Sequence, residues 1–231
     1  MSFLIEPEVF EKLPEIFIGA VIVRGVDNTK KYPEIEKLLD DAVAEAEKQL
    51  DGWKIKEHPM IVPYRAAFTE LGMNPNKFMP SIEALLTRIV KGKGMPHINP
   101  VVDLGNAISL KYLLPLGAHT LSEGDEAVRF AREGDIFTPF GAEEPEQPDV
   151  GELIYACQNK IGTRRWIWRQ SVEGMVMPES ADIFYPVDGF SLNSDRVIAA
   201  TEELATLCQT IFGVTPCAMG AAYKGNNIVP F

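Results

Sequence analysis

With 231 residues, 46% of them hydrophobic and 24% charged, the chain carries enough apolar sequence for a sizeable core and has the balance of an ordinary globular protein. Its net charge of −11 argues against a non-specific nucleic-acid binder, because phosphate repels an acidic surface. No apolar run approaches the roughly 20 residues that span a bilayer, so no membrane partner is expected. Residues 1–7 lack the basic start and long apolar stretch of a secretion signal, and Cys157, Cys208 and Cys217 are too few and scattered for a disulfide framework. The expected setting is the reducing cytoplasm.

The first strong element is residues 16–24, a continuous apolar run rich in β-branched side chains, which reads as a buried strand. Tyr32-Pro33 then opens a helix whose Ile35, Leu38, Leu39, Ala42, Val43 and Ala46 recur at helical spacing until Gly52. A second helix is expected over residues 60–71. A third spans about 80–91, with Ile82, Leu85, Leu86, Ile89 and Val90 on its apolar stripe and Ser81 and Arg88 sharing another face. The fourth starts at Asn99 as cap and Pro100 as first helical residue. It turns Val101, Val102, Leu104 and Ile108 to one side; Asp103 and Asn106, three apart, share a polar face with Ser109 close by.

After Pro115 the pattern changes to short strand candidates at residues 150–158, 163–171 and 182–187, followed by a last helix over 194–212 that stops at Gly213. Residues 143–149 read as an acidic surface loop and residues 221–231 as a loosely held tail. Helices early, strands in the middle and a helix last give an α+β class, one domain over 1–231 with an N-terminal helical layer.

Several chemistries are absent. Gly92-Lys93-Gly94 follows a helix where a phosphate-binding loop would precede one. Gly189-Phe190-Ser191-Leu192-Asn193 matches a nucleophile elbow for three positions, lacks its last glycine, and reads as a turn before the final helix. His58, His97 and His119 have no ligand spacing with one another or with the cysteines, so no metal is expected. His58 fits a helix cap; His97 and His119 flank the central helix, where either could line a site, although a surface or structural histidine is the favoured reading.

Cations gather in two places, Lys77, Arg88, Lys91 and Lys93, and Lys160, Arg164, Arg165 and Arg169, which leaves room for a local basic groove. The second lies in an aromatic and cationic segment. As a strand it would turn Arg164, Trp166, Trp168 and Gln170 one way and Arg165, Ile167, Arg169 and Ser171 the other. Its tryptophans fit a core as well as a stacking platform.

The order Tyr64-Arg65, Gly72-x-Asn74-Pro75, Ser81-x-Glu83-Ala84-Leu85-x-x-Arg88, Val101-Val102-Asp103-Leu104-Gly105-Asn106, Pro115 to Ala118, Val128 to Gly134 and Arg164-Arg165-Trp166-x-Trp168-Arg169-Gln170 is informative as a whole. Over about residues 60–187 it resembles the B3/B4-type tRNA-editing domain of the phenylalanyl-tRNA synthetase β subunit, and above all its free-standing members. The resemblance implies layered β-sheets packed with helices, and an aminoacyl-tRNA partner whose wrongly attached amino acid is hydrolysed off without metal or cofactor. It implies Asn106 and Gln170 at catalytic positions. Trp166 and Trp168 would line the amino-acid or adenosine pocket. Arg65, Arg88, Lys111, Arg164 and Arg169 would hold carboxylate or phosphate, supported by Ser81, Glu83 and Ser109. Two departures stand out: Gly117 replaces the synthetase's histidine, and the synthetase's pocket glutamate falls near Gln170. They keep a second expectation alive, a non-catalytic module for RNA, nucleosides or amino acids.

Overall fold

The computed structural model describes residues 1–142 and 144–231; Glu143, the first residue of the expected acidic loop, lies outside them. The strands are β1 (Ser2–Ile5), β2 (Ile16–Val23), β3 (His119–Thr120), β4 (Glu126–Phe130), β5 (Leu153–Cys157), β6 (Lys160–Arg164), β7 (Arg169–Gln170), β8 (Ile183–Phe190), β9 (Ala218–Tyr223) and β10 (Ile228–Pro230). The α-helices are α1 (Val9–Lys12), α2 (Pro33–Gln49), α3 (Val62–Glu70), α4 (Ser81–Val90), α5 (Pro100–Tyr112) and α6 (Ser194–Leu207). This is an α+β fold. One sheet has six strands in the order β10-β1-β4-β5-β6-β7, the other four in the order β3-β8-β2-β9.

β2 is buried at every position. It sits between β8 and β9, and each face meets a different core, so its unbroken apolar run follows from burial on both sides. Ile16, Ile18, Ala20 and Ile22 join Phe3, Tyr64, Phe68, Val128, Tyr155, Trp166 and Phe184 in the core beneath the six-stranded sheet. Phe17, Val21 and Val23 join Leu104, Ile108, Tyr185, Val197 and Leu204 in a second core against α5 and α6. The period of two that separates these sets also divides β8. Phe184 lies in the first core, Tyr185 and Val187 in the second. α6 approaches β2 so closely that a Cβ on Gly19 would stand 2.1 Å from Thr201 Oγ1.

α5 starts as its sequence requires. The Asn99 side chain accepts from the Val102 amide at 3.0 Å, and Pro100 occupies the first turn. It ends at Leu113 in a left-handed conformation (φ 52°), where Ser109 Oγ donates to the Leu114 carbonyl at 2.6 Å. α6 runs on into a π-helical turn, Cys208–Phe212, and stops at Gly213 with φ 72°.

Two expectations do not hold. The strand expected over residues 163–171 is broken, because Arg165 and Trp166 adopt successive left-handed conformations (φ 50° and 58°) between β6 and β7. The alternation of side chains read from that strand is therefore lost. The C-terminal segment is not a loose tail: it contains the end of β9 and all of β10, whose Pro230 pairs with Ser2 of β1. Its partner lies at the other end of the chain, beyond any local pattern. Among the described residues, no helix is long and apolar enough to cross a membrane.

Candidate functional site

A cavity of about 200 Å³ opens where α5, the Leu116–Ala118 turn, β8 and the broken β6–β7 connection meet. α5 presents Val102, Gly105 and Asn106 to it, positions separated by three and four residues and so on one helix face. Asn106 is half-buried, and its side-chain amide has no hydrogen bond to any described residue. Gln170, from β7, reaches the same space. Its Nε2 donates to the carbonyls of Ala118 (2.7 Å) and Gly174 (2.8 Å), which leaves Oε1 as a free acceptor.

Trp166, Trp168, Arg169 and Ser81 also line the cavity. Trp166 is fully buried among Tyr64, Phe68 and Phe190, so it forms wall and core and offers no face for stacking. The left-handed backbone at Arg165 and Trp166 is what turns the indole inward. Trp168 is half-buried and meets Phe78 edge-on at 4.9 Å; the Arg165 guanidinium lies 4.0 Å from the Phe78 ring centre and 5.0 Å from that of Trp168.

The structure does not bring the remaining expected residues to the cavity. Arg65 is buried in an ion pair with Glu83 at 2.7 Å and also donates to the Pro75 carbonyl, tying α3 to α4. Arg88 donates to the Gly94 carbonyl and closes the end of α4. Ser109 closes α5, as described, and Lys111 pairs with Glu203 on α6 at 2.6 Å. Arg164 is held by Glu152 (2.8 Å) and Glu146 (3.1 Å). Carboxylates 18, 92 and 12 residues away claim Arg65, Lys111 and Arg164, and nearby carbonyls claim Arg88 and Ser109. Asp103, expected beside Asn106, instead accepts from the Ile98 amide (2.9 Å) and faces His97 Nδ1 (3.1 Å).

Two buried titratable residues, Asp188 and His119, also line the cavity, and their pairing there was not anticipated. Asp188 is buried, and its Oδ1 accepts from both Tyr155 Oη and Trp166 Nε1 at 2.6 Å. Burial pushes its carboxyl up to about 7, against the opposite pull of those two hydrogen bonds. His119, buried beside Tyr155 and Phe184, is pushed down to about 4 by burial and is neutral at pH 7. Its ring fills space that Gly117 leaves free: a Cβ at 117 would come within 3.0 Å of Nε2. The glycine that departs from the synthetase pattern thus makes room for another histidine. A signal for Asp188 did exist, since a lone acid inside an apolar strand is costly unless it has partners. The expected strand stopped at Val187, one residue short.

Among the described residues, no cluster of histidine, cysteine and acidic side chains could hold a metal ion. No curated protein matches the chain. Among solved structures, an N-terminal fragment of the phenylalanyl-tRNA synthetase β subunit from Pyrococcus horikoshii is similar at 10% identity and TM-score 0.46, over 94% of this chain and 50% of that one. The chain therefore spans about half the length of that fragment. The model of one family, the B3/4 domain, matches residues 63–212, which takes in α3 through α6 and every residue that lines the cavity. The chain belongs to the B3/4 domain family.

Proposed function

We propose that the cavity receives the aminoacyl end of a mischarged aminoacyl-tRNA and that its ester is hydrolysed there. The observation that carries this reading is the meeting, in one cavity, of aromatic walls with the free side-chain amide of Asn106 and the free Oε1 of Gln170. At about 200 Å³ the space lies below the ~300 Å³ lower end of drug-sized pockets, so it suits an amino acid and not a whole nucleotide.

An ester on a ribose hydroxyl is already activated, so placing a water and polarising a carbonyl do most of the work. Asn106 Nδ2 donates to the ester carbonyl or holds the water, and Gln170 Oε1 accepts from that water. The water's oxygen adds to the carbonyl carbon and its proton passes toward the ribose oxygen, with neutral His119 lining the same cavity. The bond to the ribose oxygen then breaks, and that oxygen recovers the proton. The test is deacylation of a panel of mischarged tRNAs by the protein beside Asn106→Ala. Release of one or a few amino acids, lost in the variant, supports the proposal; no release by the folded protein refutes it.

One observation favours a second reading, binding without turnover. Of the cations expected to hold phosphate, Arg65, Arg164 and Lys111 are engaged in ion pairs and only Arg169 lines the cavity, in a chain that carries −11 overall. A free amino acid or its small ester is then the ligand. Retained binding of such a molecule without deacylation distinguishes the two.

A further inference from the structure

The hydrolysis described above leaves Asp188 without a part, although it is the buried acid of the cavity. Asp188 is 2% exposed. Tyr155 and Trp166 both donate to Oδ1, and no described residue donates to Oδ2. No described lysine or arginine pairs with it; the cavity's cation, Arg169, is solvent-exposed. A buried carboxylate with one oxygen unpaired and no counter-charge is costly in isolation. The cost is recovered when a ligand supplies a cationic donor. Half-buried Trp168, the aromatic side chain of the cavity that keeps an accessible face, favours a cation in the same space, because aromatic faces are electron-rich.

We infer that Asp188 Oδ2 receives a protonated primary amine, so that the cavity selects aminoacyl groups with a free α-ammonium and rejects N-acylated ones. This rests on the reading of the cavity as an aminoacyl site. It makes Asp188 a specificity-determining residue: esters of free amino acids enter, whereas peptidyl or N-formyl esters bring an uncharged amide to the carboxylate and are excluded.

The experiment is calorimetric titration of the full chain with methyl esters of the natural amino acids and with their N-acetyl counterparts. At least one free-amine ester should bind, its N-acetyl form at least about tenfold more weakly, in line with the worth of a hydrogen bond to a charged group. Asp188→Asn should remove the difference, since its Oδ1 can still accept from Tyr155 and Trp166. On the unmodified protein, affinity for the amine should fall as pH drops below about 7 and Asp188 takes up its proton. Tyr155 on β5 and Tyr64 on α3 hydrogen-bond Asp188, and His119 on β3 and the Arg169 cation on β7 line the same cavity; burial holds both tyrosines high and His119 low.

Equal binding of free and acetylated esters overturns the inference, and so does an undiminished preference in Asp188→Asn. An amine preference without any deacylation of aminoacyl-tRNA supports the inference and refutes the hydrolysis. If no ester of either kind binds, the cavity is not an aminoacyl site and both readings fall.

Discussion

Replacing Asn106 by alanine separates function from stability, because the structure gives the two effects very different sizes. Asn106 is half-buried in the interior of α5 and its side chain makes no hydrogen bond with a described residue, so truncation breaks no internal hydrogen bond. Alanine is also the better helix former, by roughly 0.5 kcal/mol. The expected stability change is within about 0.5 kcal/mol of zero, a shift in melting temperature of no more than about 2 °C for a chain of this length. Turnover should respond differently. Removing one donor that polarises a carbonyl or positions water costs about 100- to 1,000-fold in rate, or roughly 3–4 kcal/mol. Single-turnover deacylation with the substrate found in the panel, beside thermal melts of both proteins, reads the two quantities. A rate within about threefold of the parent would refute the role given to Asn106. A melting temperature lowered by several degrees would show that the side chain supports the fold in a way its surroundings do not reveal.

Arg65→Ala should do the opposite: it strands the buried Glu83 carboxylate and costs about 3–5 kcal/mol, seen in denaturant unfolding, while turnover per folded molecule stays unchanged. Lys111→Ala removes a largely exposed pair with Glu203 and should cost at most about 1 kcal/mol, with no effect on deacylation. The pH dependence of stability should show two opposing slopes. His119 titrates near 4 in the folded chain and near 6.5 unfolded, so as pH falls through that window the unfolded state binds the extra proton and stability drops, by about 3 kcal/mol in all. Asp188 titrates near 7 folded and near 3.8 unfolded, so over pH 7 to 4 the folded state binds the extra proton and stability rises, by about 4 kcal/mol. Relative to the parent, His119→Gln should gain stability on acidification to pH 4 and Asp188→Asn should lose it. Equilibrium unfolding at pH 4.5 and 8 checks both, and parallel behaviour of the two variants would refute the assigned directions.

Much of the fold was readable because its causes are local. Adjacent Asn99 and Pro100 set the start of α5, with the capped amide only three residues on at Val102, and Gly213 ended the last helical segment through its own backbone freedom. The run at residues 16–24 was visible as β2 since a strand covered on both faces must be apolar throughout. Asn106 and Gln170 could be singled out from the order of motifs, and the structure places both at the cavity.

The cations were a different matter. Arg65, Lys111 and Arg164 look alike in sequence, and what each does depends on carboxylates 18, 92 and 12 residues away. The C-terminal strand β10 depended on β1 in the same way, and the inward turn of Trp166 on a left-handed backbone that neither Arg165 nor Trp166 favours by itself. The sequence by itself determined helix starts and stops, the central buried strand and the α+β class, since these rest on propensity, capping and periodicity within a few residues. Only the tertiary structure decided which charges remain free and that Asp188, His119 and Asn106 share a cavity, because ion pairing and burial act through space between segments the chain keeps far apart.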